Sequence, residues 1–340
     1  MKKITEKQVK KTAIVIPVKE LNDYIEESLS HIERLDYDKS LLEIIVLPDN
    51  GGSLKGKYGL DIKIVPTGHV HPGEKRDRGI KMSEAEIIAF IDDDVFPAAG
   101  WLKRAVEIFE RSEDIAAVGG PAVTPDNDSF RQKASGLIYE SFLGGGGYRY
   151  RYAPEPARFV DDYPSCNLLV RKSVLDKIGG FNTEFWPGED TVICLKIVKE
   201  LKMKIQYDPE VLVFHHRRNF PDGHLKQVKS YALHRGYFVK RFPETSLKPA
   251  YFAPSAFTAY LVLLPFFALF FEGLRLLWFA PLGLYVLLLL LDGIRTKSPL
   301  FGPVVMAGIA VNHIYYGIYF IKGLFSRKLK EEKESKGDDK

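Results

Sequence analysis

The sequence predicts an α/β fold: a mostly parallel sheet with helices on both faces, followed by apolar helices near membrane-spanning length. Three observations carry this. Between Thr12 and Ile91, short apolar runs rich in β-branched residues alternate with helically spaced segments. The fourth such run leads straight into three consecutive aspartates. After Pro249 the composition turns strongly apolar.

Thr12 to Val18 (TAIVIPV) reads as a buried strand. Asn22 to Leu35 places Tyr24, Ile25, Leu29, Ile32 and Leu35 at helical spacing, with Asn22 or Asp23 at hand to cap the start. Leu42 to Leu47 is a second strand, closed by the turn Pro48 to Gly52. Ile62 to Val65 is a third and weaker one. Gly73 to Ser83 predicts a helix, and Ile87 to Ile91 a fourth strand. Such βα alternation predicts a doubly covered sheet, whose ligands bind beyond the carboxyl ends of the strands. Pro17 to Glu20, Asp49 and Asp92 to Asp94 all fall at such ends, so they are expected to converge in one cleft.

Ala116 to Ala157 is less regular. Its Gly144 to Gly147 run is read as either a mobile lid or an exposed insertion. Asn167 to Val170 reads as a strand, and Asp190 to Met203 as an amphipathic helix. Val211 to Phe214 reads as a strand that ends at His215-His216.

The chain has 340 residues and a formal net charge of +4, with no dense basic stripe. That argues against a nucleic-acid partner. Its two cysteines, Cys166 and Cys194, form neither a disulfide framework nor a zinc site. The charged start, Met1 to Lys7, is followed by no apolar stretch, so no signal peptide is expected and the N-terminal domain is expected in the cytoplasm.

Three adjacent carboxylates at Asp92, Asp93 and Asp94 repel one another, and a divalent cation such as Mg²⁺ or Mn²⁺ removes that cost. Glu189-Asp190 follows the turn Trp186-Pro187-Gly188. The pair serves either as a helix cap or as a general base. At His215-His216-Arg217-Arg218 an imidazole suits a metal and the arginines suit a phosphate; the alternative is an exposed basic turn. Lys75-Arg76-Asp77-Arg78 either meets a diphosphate or forms a solvated helix face.

With these residues in place, the chain resembles the family 2 glycosyltransferases of the GT-A fold over roughly residues 12 to 242. It looks most like membrane-associated members that build surface polysaccharides or lipid-linked glycans. AIVIPVKE is similar to the family's opening strand and Pro-x-x-Glu turn, which implicates Pro17 and Glu20 in donor binding. GEKRDRGIKMSEAEIIAFIDDDVFPAAGWL is similar to the stretch leading to the Asp-x-Asp motif. The resemblance therefore implies nucleotide and metal roles for Asp92, Asp93 and Asp94, with Asp94 the metal ligand. SCNLLVRKSVLDKIGGFNTEFWPGED resembles the acceptor side, implying Asp190 as catalytic base and Glu189 as acceptor contact. VLVFHHRR resembles the segment that lends a histidine to the metal, so His215 or His216 takes that role. Pro48 stands where many members have an Asp, and the base-reading role passes to Asp49. Lys75 and Arg78 are assigned to the leaving diphosphate. No Gln-x-x-Arg-Trp motif of processive synthases is present, which favours addition of a single sugar.

The resemblance thus implies an inverting transfer from a nucleotide-sugar to a glycan or lipid-linked hydroxyl. A polyprenyl phosphate is the alternative acceptor, with Arg217, Arg218 and Arg235 to meet it. The expected organisation is a catalytic domain over 1–250, apolar helices over 251–325 and a charged tail over 326–340. That makes a multi-pass protein of the cell membrane. Three crossings would carry the tail outside, whereas Arg327, Lys328 and Lys330 favour a cytoplasmic tail. One apolar stretch is therefore expected to lie in the interface or re-enter instead of crossing, with the stretch around His313 to Phe325 the best candidate.

Overall fold

The computed structural model describes residues 10–330; the charged start and the tail beyond 330 lie outside the described residues. In chain order the first elements are β1 (Thr12–Pro17), α1 (Asp23–Glu33), β2 (Leu42–Leu47), β3 (Asp61–Ile64) and α2 (Pro72–Met82). They are followed by β4 (Ile87–Ile91), β5 (Val95–Pro97), α3 (Trp101–Phe109), β6 (Ile115–Gly119) and β7 (Ala122–Val123). Next come α4 (Phe130–Glu140), α5 (Phe142–Gly145), β8 (Arg158–Val160), β9 (Asn167–Arg171) and α6 (Lys172–Ile178). Then α7 (Glu189–Leu195), β10 (Lys204–Tyr207), β11 (Val213–His215), α8 (Asp222–Arg241) and α9 (Pro243–Ser246) follow. The last three are α10 (Pro249–Phe270), α11 (Arg275–Arg295) and α12 (Phe301–Phe325).

The described residues divide into two units. The first comprises the chain up to Val123 together with Pro154–His215. Its main sheet has the order β3-β2-β1-β4-β9-β6-β10-β8. Neighbours from β3 to β4 are parallel, as is the β6–β10 pair, while β9 runs antiparallel to both β4 and β6 and β8 runs antiparallel to β10. Thr12–Pro17 is buried at every position because both faces are covered. Ile14 and Ile16 join the core with Ile25 and Leu29 of α1 and Leu102 of α3. The other face meets α2 at Gly79, where an added Cβ would stand 2.5 Å from Val15. A small second sheet, β5-β11-β7, follows the main one.

α1 begins where its cap residue requires: the Asn22 side chain accepts from the Ile25 amide. The helix expected over Asp190 to Met203 is shorter; α7 passes into a π-helical turn over Lys196–Glu200. Ala116 to Ala157, expected to be irregular, contains β6, β7, α4 and α5.

The second unit comprises Thr124–Ala153 and the chain from His216 onward. Residues 124–153 and 216–250 therefore group with the apolar helices and not with the sheet. The Gly144 to Gly147 run closes a short helix. An added Cβ on Gly144 would lie 2.1 Å from the Ile138 carbonyl oxygen and one on Gly145 2.1 Å from that of Tyr139, so the first two glycines are packed, whereas Gly146 and Gly147 are exposed with open space around them. Asp292 of α11 accepts from the Phe142 and Leu143 amides at 3.0 and 2.8 Å. Three helices, α10, α11 and α12, are long and apolar enough to cross a membrane.

Candidate active site

Strand register brings the expected residues to one edge of the first unit. Pro17 lies opposite Leu47 and Val15 opposite Phe90, so the ends of β1, β2 and β4 are level. Glu20, Asp49 and Asp92 to Asp94 follow those ends, Glu20 being exposed. Pro17 itself is buried as the last residue of β1.

Three consecutive residues of α2 each hold a different segment of this edge. Lys75 donates to the Val18 carbonyl at 2.6 Å and to the Asp49 carboxylate. The Lys75 ammonium, followed by His69 at 2.9 Å, pulls the pKa of Asp49 below the usual carboxylate range. Arg76 donates to Asp92 at 2.7 Å and to Glu189 at 2.9 Å. Asp77 accepts from the Phe181 and Asn182 amides at 2.7 and 3.0 Å. Arg78 turns to the Thr67 carbonyl and to Glu74, at 2.7 Å each.

The three aspartates have three different partners. Asp92 meets Arg76, and Asp93 accepts from the Asn22 side chain at 2.8 Å. Burial, followed by the neighbouring charge of Asp94, pushes the Asp93 carboxyl up to about 6. The Asp94 carboxylate stands 3.3 Å from His215 Nε2. The small sheet explains that approach, because β11 runs antiparallel to β5 with His215 opposite Val95, the residue after Asp94.

Glu189 and Asp190 open α7 after Gly188, whose φ of 123° suits glycine. Glu189 is buried against Arg76. Asp190 is half-buried and accepts from the Thr191 amide at 2.8 Å and the Ser165 amide at 3.4 Å. His216 belongs to the second unit, where it bonds Asp128, and Arg217 there stacks 5.2 Å from the Tyr152 ring. Of the two adjacent histidines, only His215 lies in the same unit as Asp94.

Buried donors and acceptors hold this edge from below. Asn167 accepts from the Trp101 indole at 2.8 Å and donates to the Gly120 and Val211 carbonyls. Among the described residues no three His, Cys, Asp or Glu side chains form a ready-made metal cage.

Residues 13–179 match the Glycosyl transferase family 2 profile. The chain belongs to this family. Its fold is GT-A, with a mixed α/β sheet. A pre-mycofactocin glycosyltransferase of Mycobacterium tuberculosis is 26% identical over 213 residues, covering 60% of this chain and 42% of that protein. A glucosyl-dolichyl phosphate glucuronosyltransferase of Haloferax volcanii is 23% identical over 147 residues, covering 41% and 46%. The chain therefore spans less than half the length of these two relatives. A mannosyltransferase from Pyrobaculum calidifontis, solved with GDP-Man and Mn²⁺, superposes with a TM-score of 0.63 at 16% identity. That match covers 94% of this family 2 chain and 88% of the other, and at such identity it is a likeness of fold.

Sequence reasoning assigned Lys75 and Arg78 of the Lys75 to Arg78 run to a diphosphate and gave Arg76 no role of its own. It did not find the pairing of Arg76 with both Asp92 and Glu189. The signal available was the charge of the run on a helix just ahead of the Asp92 strand. Nothing in the linear pattern marked Asn22 as a partner of Asp93, or Asn167 as the tie beneath the edge.

Proposed function

We propose that the protein is an inverting glycosyltransferase that moves one sugar from a nucleotide-sugar to an acceptor hydroxyl. The observation that carries this reading is the Asp94 carboxylate facing the His215 imidazole at 3.3 Å, on the strand edge of a family 2 domain. One carboxylate and one imidazole fit Mg²⁺ or Mn²⁺, which bind through few protein groups and complete their shell with water and phosphate oxygens. The bound cation supplies positive charge against a nucleoside diphosphate. His216, the other histidine assigned to it by resemblance, is held by Asp128 and orients the chain after β11.

Each carboxylate then has its own work. Asp49, kept ionised by Lys75, reads the nucleotide base, with Pro17 and Glu20 beside it at the same edge. Asp92 and Asp93 hold the nucleotide-sugar, and Lys75 and Arg78 favour its anionic end. Asp190 takes the acceptor's proton as the hydroxyl attacks the anomeric carbon from the face opposite the leaving group. Glu189, clamped by Arg76, fixes the turn that presents Asp190 and contacts the acceptor.

The acceptor is a glycan carried on a lipid or at the cell surface. The apolar helices and the dolichyl-linked substrate in the haloarchaeal relative's name support this. The apolar helices hold the protein at the cell membrane, with the catalytic unit on the cytoplasmic side where nucleotide-sugars are made. Substituting Asp190→Asn is expected to abolish transfer while nucleotide binding persists; full activity in that variant overturns the assignment. Transfer to a bare polyprenyl phosphate, in place of a hydroxyl, would move the reading to a polyprenyl-phosphate sugar synthase.

A further inference from the structure

α12 has the composition of a membrane span, but two of the helices packed along it, α4 and α8, do not. It meets α4 at its start, where Phe130 and Phe301 stack at 4.6 Å. At its middle, Asn312 bonds His224 of α8 at 3.0 Å and His313 meets the Leu143 carbonyl at 3.1 Å. Near its end the backbones of α8 and α12 touch. An added Cβ on Gly236 would stand 2.1 Å from the Phe320 oxygen, and one on Gly323 would stand 2.0 Å from the Leu233 oxygen. Beyond that contact, Lys240 donates to the Ser326 carbonyl at 2.7 Å.

Two helices in backbone contact share one depth. If α12 crossed a bilayer, α4 and α8 would enter with it. Yet Lys226, Lys229, Lys240 and Arg241 of α8 are exposed, and so is Arg131 of α4. Lys226 lies two residues past His224, level with the middle of α12, too deep to reach either surface. Hydrocarbon around such cations is strongly unfavourable. The hairpin of α10 and α11 meets α12 through Phe252, Pro254, Tyr285 and Gly293, in the halves away from its turn, and the turn half projects beyond these contacts. Only 11% and 6% of its apolar windows are buried, against 33% for α12. Leu269, Leu276 and Ile294 are at least 70% exposed, and Arg275 pairs with Glu272 at the turn.

We propose that only the α10–α11 hairpin enters the hydrocarbon core, and that α12 lies in the membrane surface. The exposed stripe Val311, Ile314, Ile318, Ile321 and Phe325 recurs every three or four residues and meets the acyl chains. Lys322, Arg327 and Lys328, all exposed beside it, suit the anionic headgroups of the same leaflet. The hairpin enters and returns, so residues after α12 stay on the side of α8. This assignment rests on the helices alone and not on the sugar chemistry.

The test is labelling of the full chain in sealed vesicles with a membrane-impermeant maleimide, using K226C, G273C and K328C. Labelling of the unsubstituted chain, with its own Cys166 and Cys194, is subtracted. K226C and K328C are expected to react from the same face, and G273C not to react from that face. Any other pattern overturns the proposal, including reaction of K328C from the opposite face alone.

Discussion

Arg76 donates one amine to Glu189 at 2.9 Å, and with the other it holds Asp92 at 2.7 Å. One buried guanidinium thereby joins the end of β4 to the start of α7. Substituting Arg76→Met leaves Glu189 buried without its counter-charge. The expected loss is about 3–5 kcal/mol of stability, measured by urea unfolding of the detergent-solubilised protein. Arg76→Lys keeps the charge but cannot reach both carboxylates, so activity is expected to fall with much less loss of stability.

Gly180 has φ of 69°, and an added Cβ would stand 2.2 Å from Asp77 Oδ1. Gly180→Ala is expected to cost about 1–3 kcal/mol from backbone strain alone. The Asp77 contacts to the Phe181 and Asn182 amides should loosen with it. A thermal melt checks the first effect, and faster hydrogen exchange at those two amides checks the second.

His224 is buried between Ser135 and Asn312. Burial pulls its pKa down to about 4, although the Asn312 hydrogen bond acts in the other direction. Below the ordinary value of 6.5 the unfolded chain takes up a proton that the folded chain refuses. Stability should therefore fall as pH drops from about 6.5 to about 4, by roughly 3 kcal/mol, and level off below. His224→Gln is expected to remove that slope in melting temperatures recorded across the same range.

Asp94 and His215 predict a cation linked to nucleotide binding. Mn²⁺ with a nucleoside diphosphate should raise the melting temperature, by the equivalent of about 2.7 kcal/mol at a hundredfold excess over Kd. Asp94→Asn and His215→Ala are each expected to lose most of that gain. A full gain in both variants would remove the site from this edge.

β1, β2 and β4 were legible because these runs are buried at every position and so almost uniformly apolar. Leu42 to Leu47 and Ile87 to Ile91 were located to the residue for that reason. The convergence of Asp49 and Asp92 followed from strand direction alone. β9 was recognised as a strand, but its antiparallel direction was not, since a buried run reads the same both ways. The pairing of Arg76 escaped because one of its two partners, Glu189, lies 113 residues along the chain. The grouping of Thr124–Ala153 with the apolar helices escaped for a similar reason: Asp292 gathers the Phe142 and Leu143 amides from a distant helix.

The place of β9 also sets an order of events during synthesis. β1 to β4 pair among themselves and form a contiguous stretch of chain, so they can assemble early. β6 has no route to that half except through β9, which emerges later than both of its neighbours. Until Asn167–Arg171 leaves the ribosome, β4 keeps one naked edge. The growing chain must therefore pass through an interval in which its most apolar strand is open to the wrong partner, and a pause in translation there would lengthen it.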